Sequence, residues 1–348
     1  MTGAEDARAA AAEDAVLSQH VRAVWGVPGT ALGVVGWPAN PSDRLFVRWN
    51  YWWQAQLLDC LVDAQHRSPS ALRRRQISAL IRGHRLRNAG VWTNSYHDDM
   101  AWLGLSLLRA AGVGVDRRPA VTALAGALSA AADAAPGTGI NWRRGDSYRN
   151  TPANGPTGLL LARLGDLPRA QALADWLHTE HLDVGSGLVL DGVRDGHPPD
   201  RAVYSYCQGV VLGLETELAN RTGHRRHTSR ACRLTAAVAE QLAPDGVLAG
   251  CGTGDGGLFA GITARYLTVV AHHLPGRSAQ SRRARATAAE LVHHTARAAW
   301  DHRTERGGVP RFGTDWSNAD EPPADLSVQL SAWMLLEAAA TLTPRPIR

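Results

Sequence analysis

A short turn that begins with glycine recurs along this chain at intervals of roughly 50 to 60 residues. Between the turns lie segments rich in Ala, Leu and Arg with helical spacing, whereas the strict alternation of a strand is scarce. Each interval is long enough for two antiparallel helices and their loops. The turns lie at residues 90–92, 139–142, 187–192, 246–248 and 308–313, and the clearest helical segments at 103–111, 120–135, 159–164, 231–242, 284–300 and 326–342.

Five such turns after a leading helix pair indicate six helical hairpins. Closing the hairpins into a ring removes the need for the polar caps that an open solenoid requires at both ends. We therefore predict an all-α fold, an (α/α)6 barrel, over residues 16–348 as a single domain. Residues 1–15, which are Ala-rich and acidic, are expected to form a loose N-terminal arm.

Composition narrows the possible roles of the chain. The 348 residues carry a net charge of +5, and every basic side chain other than histidine is arginine. The basic runs at 73–75, 225–226 and 282–283 contain no interleaved aromatic residues, so we do not expect nucleic-acid binding.

The N-terminus lacks the pattern of a signal peptide, and no apolar run approaches the roughly 20 residues of a membrane span. We expect a cytoplasmic monomer without a membrane span. Its four separated cysteines are expected to be reduced core thiols.

Asp98 and Asp99 are the most informative residues of the chain. They follow the first turn directly, at the predicted start of a helix, with Ser95 three residues ahead of Asp98 in a capping position. Consecutive residues diverge by about 100° within a helix, so both carboxylates can face one substrate only at a helix start. The helix dipole favours one ionised carboxylate, while a like charge and nearby aromatic rings raise the pKa of the other. Paired carboxylates of this kind cleave glycosidic bonds, and adjacency favours the retaining mechanism.

Other interpretations of this pair remain open. An Asp-Asp dipeptide at a helix start is often only a cap and a dipole partner. A diphosphate-binding metal site would need a third acid nearby, but the next residues are Met100, Ala101 and Trp102. The sequence therefore predicts no metal and no cofactor.

Polar and aromatic residues also follow the later turns. Because those loops gather at one end of the barrel, we expect a cleft around the central funnel that a chain polymer can enter. These residues are Trp142, Tyr148, Asn154, Tyr204, Tyr206, Gln208, Asp255, Phe259 and Trp316.

Several segments in order from about residue 49 to the C-terminus resemble glycoside hydrolase family 76, the endo-α-1,6-mannanases. The resemblance implies an (α/α)6 barrel and a retaining mechanism without a cofactor, in which Asp98 is the nucleophile and Asp99 the general acid/base. The expected substrate is α-1,6-linked mannan or a manno-oligosaccharide, and the expected substrate-binding residues are Trp53, Asn94, Tyr96, Trp142, Asn154, Tyr206, Gln208, Asp255, Phe259 and Trp316. The segments that resemble the family are 51–59, 96–102, 139–155, 204–209, 255–259, 312–316 and 329–332.

Three alternatives to this hydrolase differ in testable ways. A transglycosidase of the same family would transfer the sugar to another sugar instead of water. A catalytically silent glycan-binding protein would keep the funnel and its aromatic rings without turnover. A helical scaffold for protein partners would bind no sugar.

Overall fold

The computed structural model describes residues 3–134, 136–319, 323 and 325–343. Thirteen helices account for most of this part of the chain, and the predicted end of one helical segment, Ala135, lies outside the described residues. The helices are α1 (Gly3–His20), α2 (Pro41–Arg44), α3 (Tyr51–Arg67), α4 (Ala71–Arg87), α5 (His97–Gly112), α6 (Arg118–Asp133), α7 (Thr151–Leu164), α8 (Leu167–Trp176), α9 (Ser205–Thr222), α10 (Arg225–Gln241), α11 (Phe259–His273), α12 (Ala279–Asp301) and α13 (Leu326–Leu342).

Six helices form a closed inner ring, in which α3, α5, α7, α9, α11 and α13 each pack against the next and α13 returns to α3. The helices α4, α6, α8, α10 and α12 lie outside this ring, and α1 completes the outer layer against α13. Since inner and outer helices alternate along the chain, all inner helices run in the same direction. The prediction of an (α/α)6 barrel is confirmed.

The inner helices are apolar on nearly every side, which is what places them in the centre. In α13, 15 of the 17 residues are buried, whereas the outer helix α4 buries only five. Close packing between neighbouring inner helices depends on glycine. A Cβ at Gly209 would lie 2.8 Å from Cα of Thr263, and one at Gly261 would lie 2.6 Å from the carbonyl oxygen of Ser331.

The expected loose arm is wrong for the residues described. Residues 3–15 belong to α1, which buries Ala9, Ala12 and Val16 against the last inner helix. Glu13 on the same helix forms ion pairs with Arg67 and Arg73. The Ala-rich, acidic segment thus forms a helix whose buried alanines and valine complete the outer ring.

The remaining regular structure consists of short antiparallel pairs in the loops. One pair, between the strands that start at Tyr148 and Gly192, joins the loops before α7 and α9 at the end where the inner helices begin. In the described part of the chain, no helix is both long and apolar enough to cross a bilayer. The strands are β1 (Val21–Arg22), β2 (Leu32–Gly33), β3 (Tyr148–Asn150), β4 (Gly192–Arg194), β5 (Thr304–Arg306) and β6 (Val309–Arg311); single turns of 3-10 helix lie at Val24–Gly26 and Gly254–Leu258, and one of π-helix at Leu177–His181.

Candidate active site

The two aspartates lie in the first turn of α5, as the sequence predicts. The helix begins at His97, and its N-cap is Tyr96, whose side chain makes no capping hydrogen bond. Ser95 is therefore not the cap. The side chain of Asn94 instead accepts a hydrogen bond from the backbone N–H of Tyr96 (2.9 Å) and fixes the chain just before the helix. Neither carboxylate therefore belongs to the N-cap residue.

Asp98 is held by a tryptophan from the neighbouring loop. The indole Nε1–H of Trp142 donates to Oδ2 of Asp98 (3.0 Å), while Oδ1 is shielded from solvent and has no hydrogen-bond partner among the described groups. Burial raises the pKa of Asp98 to about 6, against the lowering effect of the Trp142 hydrogen bond. One oxygen is thus oriented by the indole, and the other is buried without a partner.

Asp99 has a different partner. The side-chain amide of Asn94 donates to its Oδ2 (2.6 Å). Burial, followed by the negative charge of Asp98, raises the pKa of Asp99 well above its usual range. Two neighbouring carboxyl groups with the same intrinsic acidity therefore have separate environments, which is the arrangement that divides acid and base roles between them.

A third carboxylate, Asp255, is exposed and lines the cavity that Asp98 also lines. Oδ1 of Asp255 accepts hydrogen bonds from the indole nitrogens of Trp52 (3.0 Å) and Trp53 (2.7 Å). Its charge contributes to the raised pKa values of both Asp98 and Asp99. Asp255 thus ties the start of α3 to the loop before α11 and adds to the negative potential of the site.

Aromatic rings form one wall of the cavity. Tyr206 and Phe259 stack with their centroids 4.0 Å apart and their planes at 9°, and Trp52 stacks on Tyr206 at 6.1 Å. Tyr96 packs edge-on against Trp142 at 5.1 Å and supports the tryptophan that holds the nucleophile candidate. Flat apolar faces beside carboxylates suit the binding of sugar rings.

Residues of β3 and of the loop before β4 also line the cavity. The hydroxyl of Tyr148 donates to Oδ2 of Asp191 (2.5 Å), and burial raises the pKa of this carboxyl group. The cavity has a volume of about 470 Å³ and opens to solvent. No basic side chain occurs among the described residues that line it: Trp52, Asp98, Trp102, Trp142, Tyr148, Asn150, Asp191, Tyr204, Tyr206, Cys251, Asp255, Gly256 and Phe259.

Of the predicted substrate-binding residues, Trp142, Tyr206, Asp255 and Phe259 line this cavity. The others do not. Asn94 and Tyr96 contact residues of the site, as described above. Trp53 is 2% exposed and reaches the site only through Asp255, while its neighbour Trp52 faces the cavity.

Asn154 and Gln208 are correctly placed at the start of inner helices, but they are fully buried and bind the backbone. Each amide accepts from the N–H and donates to the C=O of one loop residue: Ile140 for Asn154 and Val189 for Gln208. Gln54 does the same with Gly33, and Gln329 with Phe312. These amide clamps anchor the loops that form the cavity and do not contact its interior.

Trp316 also lies away from the cavity. It is 4% exposed and packs in the hydrophobic core, and its backbone carbonyl interacts with the ring of His302. An aromatic residue after the last turn was expected at the funnel, but the loop before α13 turns it inward.

Six lining residues, Trp52, Trp102, Asn150, Asp191, Cys251 and Gly256, were not predicted. The position of Asp191 within the third turn could have indicated that it lines the cavity. Trp52 is adjacent to the predicted Trp53, and the two indoles differ only in the direction in which they leave α3. Cys251 was expected to be a core thiol like Cys207, but it is exposed at the cavity. In the described ranges, no group of three or more His, Cys, Asp or Glu side chains could hold a metal ion.

Comparisons with known proteins agree with the (α/α)6 fold. The sequence matches Glycosyl hydrolase family 76 over residues 8–346. The GH76A α-1,6-mannanase of Salegentibacter sp. HEL1_6 is similar in structure, with a TM-score of 0.85 and 28% identity over 97% of this chain and 100% of that one. An inactive variant of that enzyme, with two consecutive aspartates replaced by asparagine, is similar at 26% identity and the same TM-score and coverage, and its structure contains α-1,6-mannotriose.

A protein from Listeria innocua shares the fold at a TM-score of 0.84 and 22% identity, with 97% of each chain covered. Among curated protein sequences, none matches this chain. The family match spans nearly the whole chain and includes the paired aspartates, the aromatic wall and every inner helix. The chain therefore belongs to glycosyl hydrolase family 76.

Proposed function

We propose that this protein is a retaining, endo-acting glycoside hydrolase that cleaves α-1,6-mannosidic linkages. The observation that carries the proposal is the unequal environment of the two adjacent carboxylates. Trp142 orients Asp98 and leaves its Oδ1 without a partner, whereas Asp99 has the pKa further above the usual range. The pair thus combines a carboxyl group that ionises more readily, Asp98, with one that holds its proton more strongly, Asp99.

The roles follow from this difference in acidity. The ionised carboxylate of Asp98 attacks the anomeric carbon while the protonated carboxyl group of Asp99 gives its proton to the departing glycosidic oxygen, which forms a glycosyl–enzyme ester. Asp99 then takes a proton from water, and that water releases the sugar from Asp98. Retaining glycosidases place their two carboxyl groups roughly 5–5.5 Å apart, which side chains of neighbouring residues in a first helical turn can reach.

The shape and charge of the cavity support a neutral polysaccharide as the substrate. The stacked wall of Trp52, Tyr206 and Phe259 offers apolar faces, and the absence of lining cations in the described residues disfavours anionic sugars. An open cavity admits the interior of a chain, as an endo-acting enzyme requires. The similar mannanase from Salegentibacter, and the inactivity of its variant lacking two consecutive aspartates, support α-1,6-mannan.

The test is incubation of the protein with linear α-1,6-mannan, with product sizes and anomeric configuration followed over time. We expect a series of short oligosaccharides whose first-formed reducing ends are α. Products longer than the starting mannan would instead identify a transglycosidase. First-formed β-anomers would contradict the retaining mechanism.

Two variants separate catalysis from binding. Asp98→Asn and Asp99→Asn should each abolish cleavage while α-1,6-mannotetraose still binds by calorimetry. Wild-type turnover by either variant would refute the assigned roles, and binding without turnover by the unaltered protein would identify a glycan-binding protein.

A further inference from the structure

Exposed apolar side chains are concentrated on one part of the surface. Ten large hydrophobic residues are exposed in the described part of the chain, and six of them lie within residues 25–47 and 86–91. We call these six the apolar face: Trp25, Val27, Leu45, Val47, Leu86 and Val91, with exposed fractions from 36% to 62%. A cluster of this kind on a monomer commonly marks an interaction site.

Hydrogen bonds join the segments of this face into one surface. The indole Nε1–H of Trp25 donates to the carbonyl of Leu45 (2.9 Å). Arg87 of α4 donates to the carbonyl of Phe46 (2.8 Å), and Arg82 of α4 donates to that of Gly29 (2.7 Å). The loops on either side of α2 therefore lie against the C-terminal half of α4, and their apolar side chains share one exposed area.

The segment that carries this face is rich in arginine. Residues 21–97 contain ten arginines and only three acidic residues, Asp43, Asp59 and Asp63. Asp43 is 1% exposed and caps α2. The other two point into the barrel, where they pair with arginines of α5 and α11. The exposed arginines on and beside the face, Arg44, Arg48, Arg82 and Arg85, form no ion pair with a described acidic residue.

The backbone is strained at one exposed residue of this face. Trp25 has φ 49°, although it is a bulky residue that disfavours the left-handed region. Trp25 is nevertheless half exposed, so packing in the core does not account for its strained conformation. Strain of this kind often occurs at functional sites.

We propose that the apolar face binds the surface of an anionic lipid bilayer. Its aliphatic and indole side chains suit the boundary between headgroups and acyl chains, and exposed arginines that form no ion pair with described residues suit anionic headgroups. Val91 is three residues from Asn94, and Val47 is five residues from Trp52. Docking through this face therefore holds the mouth of the active-site cavity near the membrane. The inference does not depend on the sugar that the cavity accepts.

The test is co-sedimentation of the full chain with vesicles of phosphatidylcholine alone and of phosphatidylcholine mixed equally with phosphatidylglycerol. We expect partitioning that is roughly tenfold or more stronger on the anionic vesicles. Leu45→Ser/Val47→Ser and Arg48→Gln/Arg85→Gln should each weaken it by about the same factor. Equal binding to both vesicles, or to neither, overturns the proposal.

Matched controls exclude general effects of charge and hydrophobicity. Arg282→Gln/Arg283→Gln removes the same charge from exposed positions of α12, and Leu164→Ser/Val184→Ser removes two exposed apolar side chains elsewhere. Both controls should bind vesicles like the unaltered protein, and an equal loss in either overturns the proposal. The proposal is also overturned if Arg48→Gln/Arg85→Gln weakens vesicle binding and Leu45→Ser/Val47→Ser does not, because that result indicates a general polyanion site. All variants should cleave soluble α-1,6-mannan normally, so failure of vesicle binding leaves the proposed function untouched.

Discussion

The hydrogen bond from Trp142 to Asp98 should set the acid limb of the pH profile. Trp142→Phe removes the indole N–H at 3.0 Å from Oδ2 but keeps an aromatic ring in the same place. The ionised form of Asp98 loses a donor, so its pKa must rise. Activity that requires ionised Asp98 should then appear only at higher pH.

The size of the effect follows from the energy of the bond. A hydrogen bond to a charged group contributes about 1.5–3 kcal/mol, and one pKa unit corresponds to about 1.4 kcal/mol. The cavity is open to solvent, which favours the lower end of this range. We therefore expect the acid limb of kcat/KM to move from about 6, the pKa of Asp98, to about 7.

The assay is kcat/KM for α-1,6-mannotetraose between about pH 4 and about pH 9, a range that spans the pKa of about 6 of Asp98. Trp102→Phe is the matched control, because Trp102 lines the same cavity and, among the described groups, its indole has no carboxylate partner. The control should change KM and leave the limb in place. An unmoved limb in Trp142→Phe, or an equal shift in both variants, would refute the role of this hydrogen bond.

Three further variants test other parts of the structure. Asp255→Asn removes a charge that raises both catalytic pKa values, so both limbs of the kcat/KM profile should shift to lower pH, and a shift of one limb alone would contradict this account. Arg67→Met leaves Glu337 buried without its partner and removes one of the two arginines at Glu13, so urea unfolding should show a loss of roughly 3–5 kcal/mol. Asp98→Asn should stabilise the fold by about 1–3 kcal/mol at pH 7, because a folded pKa raised from 3.8 to about 6 makes ionised Asp98 unfavourable. The gain should be full above about pH 6 and vanish below about pH 4, and a gain that persists in acid would argue against ionisation as its cause.

The fold was predictable because its signals repeat. Glycine turns at regular intervals and apolar inner helices specify a ring, and the position of Asp98 and Asp99 after the first turn specifies its active end. The loose arm was predicted wrongly because α1 contributes only a narrow stripe of alanine and valine. That stripe has meaning only against α13, more than 300 residues away in the sequence.

The side chains of the site were harder to predict than their segments. Trp52 and Trp53 are adjacent, and only the rotation of α3 about its axis decides which indole faces the cavity and which is buried behind it. Asp191 reaches the cavity through pairing of β3 with β4, two strands of three residues each whose register depends on distant loops. The rotation of a helix about its axis and the register of two short strands depend on tertiary packing. Local sequence patterns do not encode that packing.

The amide clamps show why residue type alone misassigns function at this end of the barrel. A buried Asn or Gln near the start of an inner helix follows the same turns as the residues that line the cavity, so both classes recur with the same period. Asn154 and Gln208 satisfy both backbone groups of a loop residue and leave no polar atom for a sugar. Since an unpaired buried amide costs about 1–3 kcal/mol per group, these loops are fixed before substrate arrives. The rigidity they provide keeps Trp142, in the loop clamped by Asn154, within hydrogen-bonding distance of Asp98.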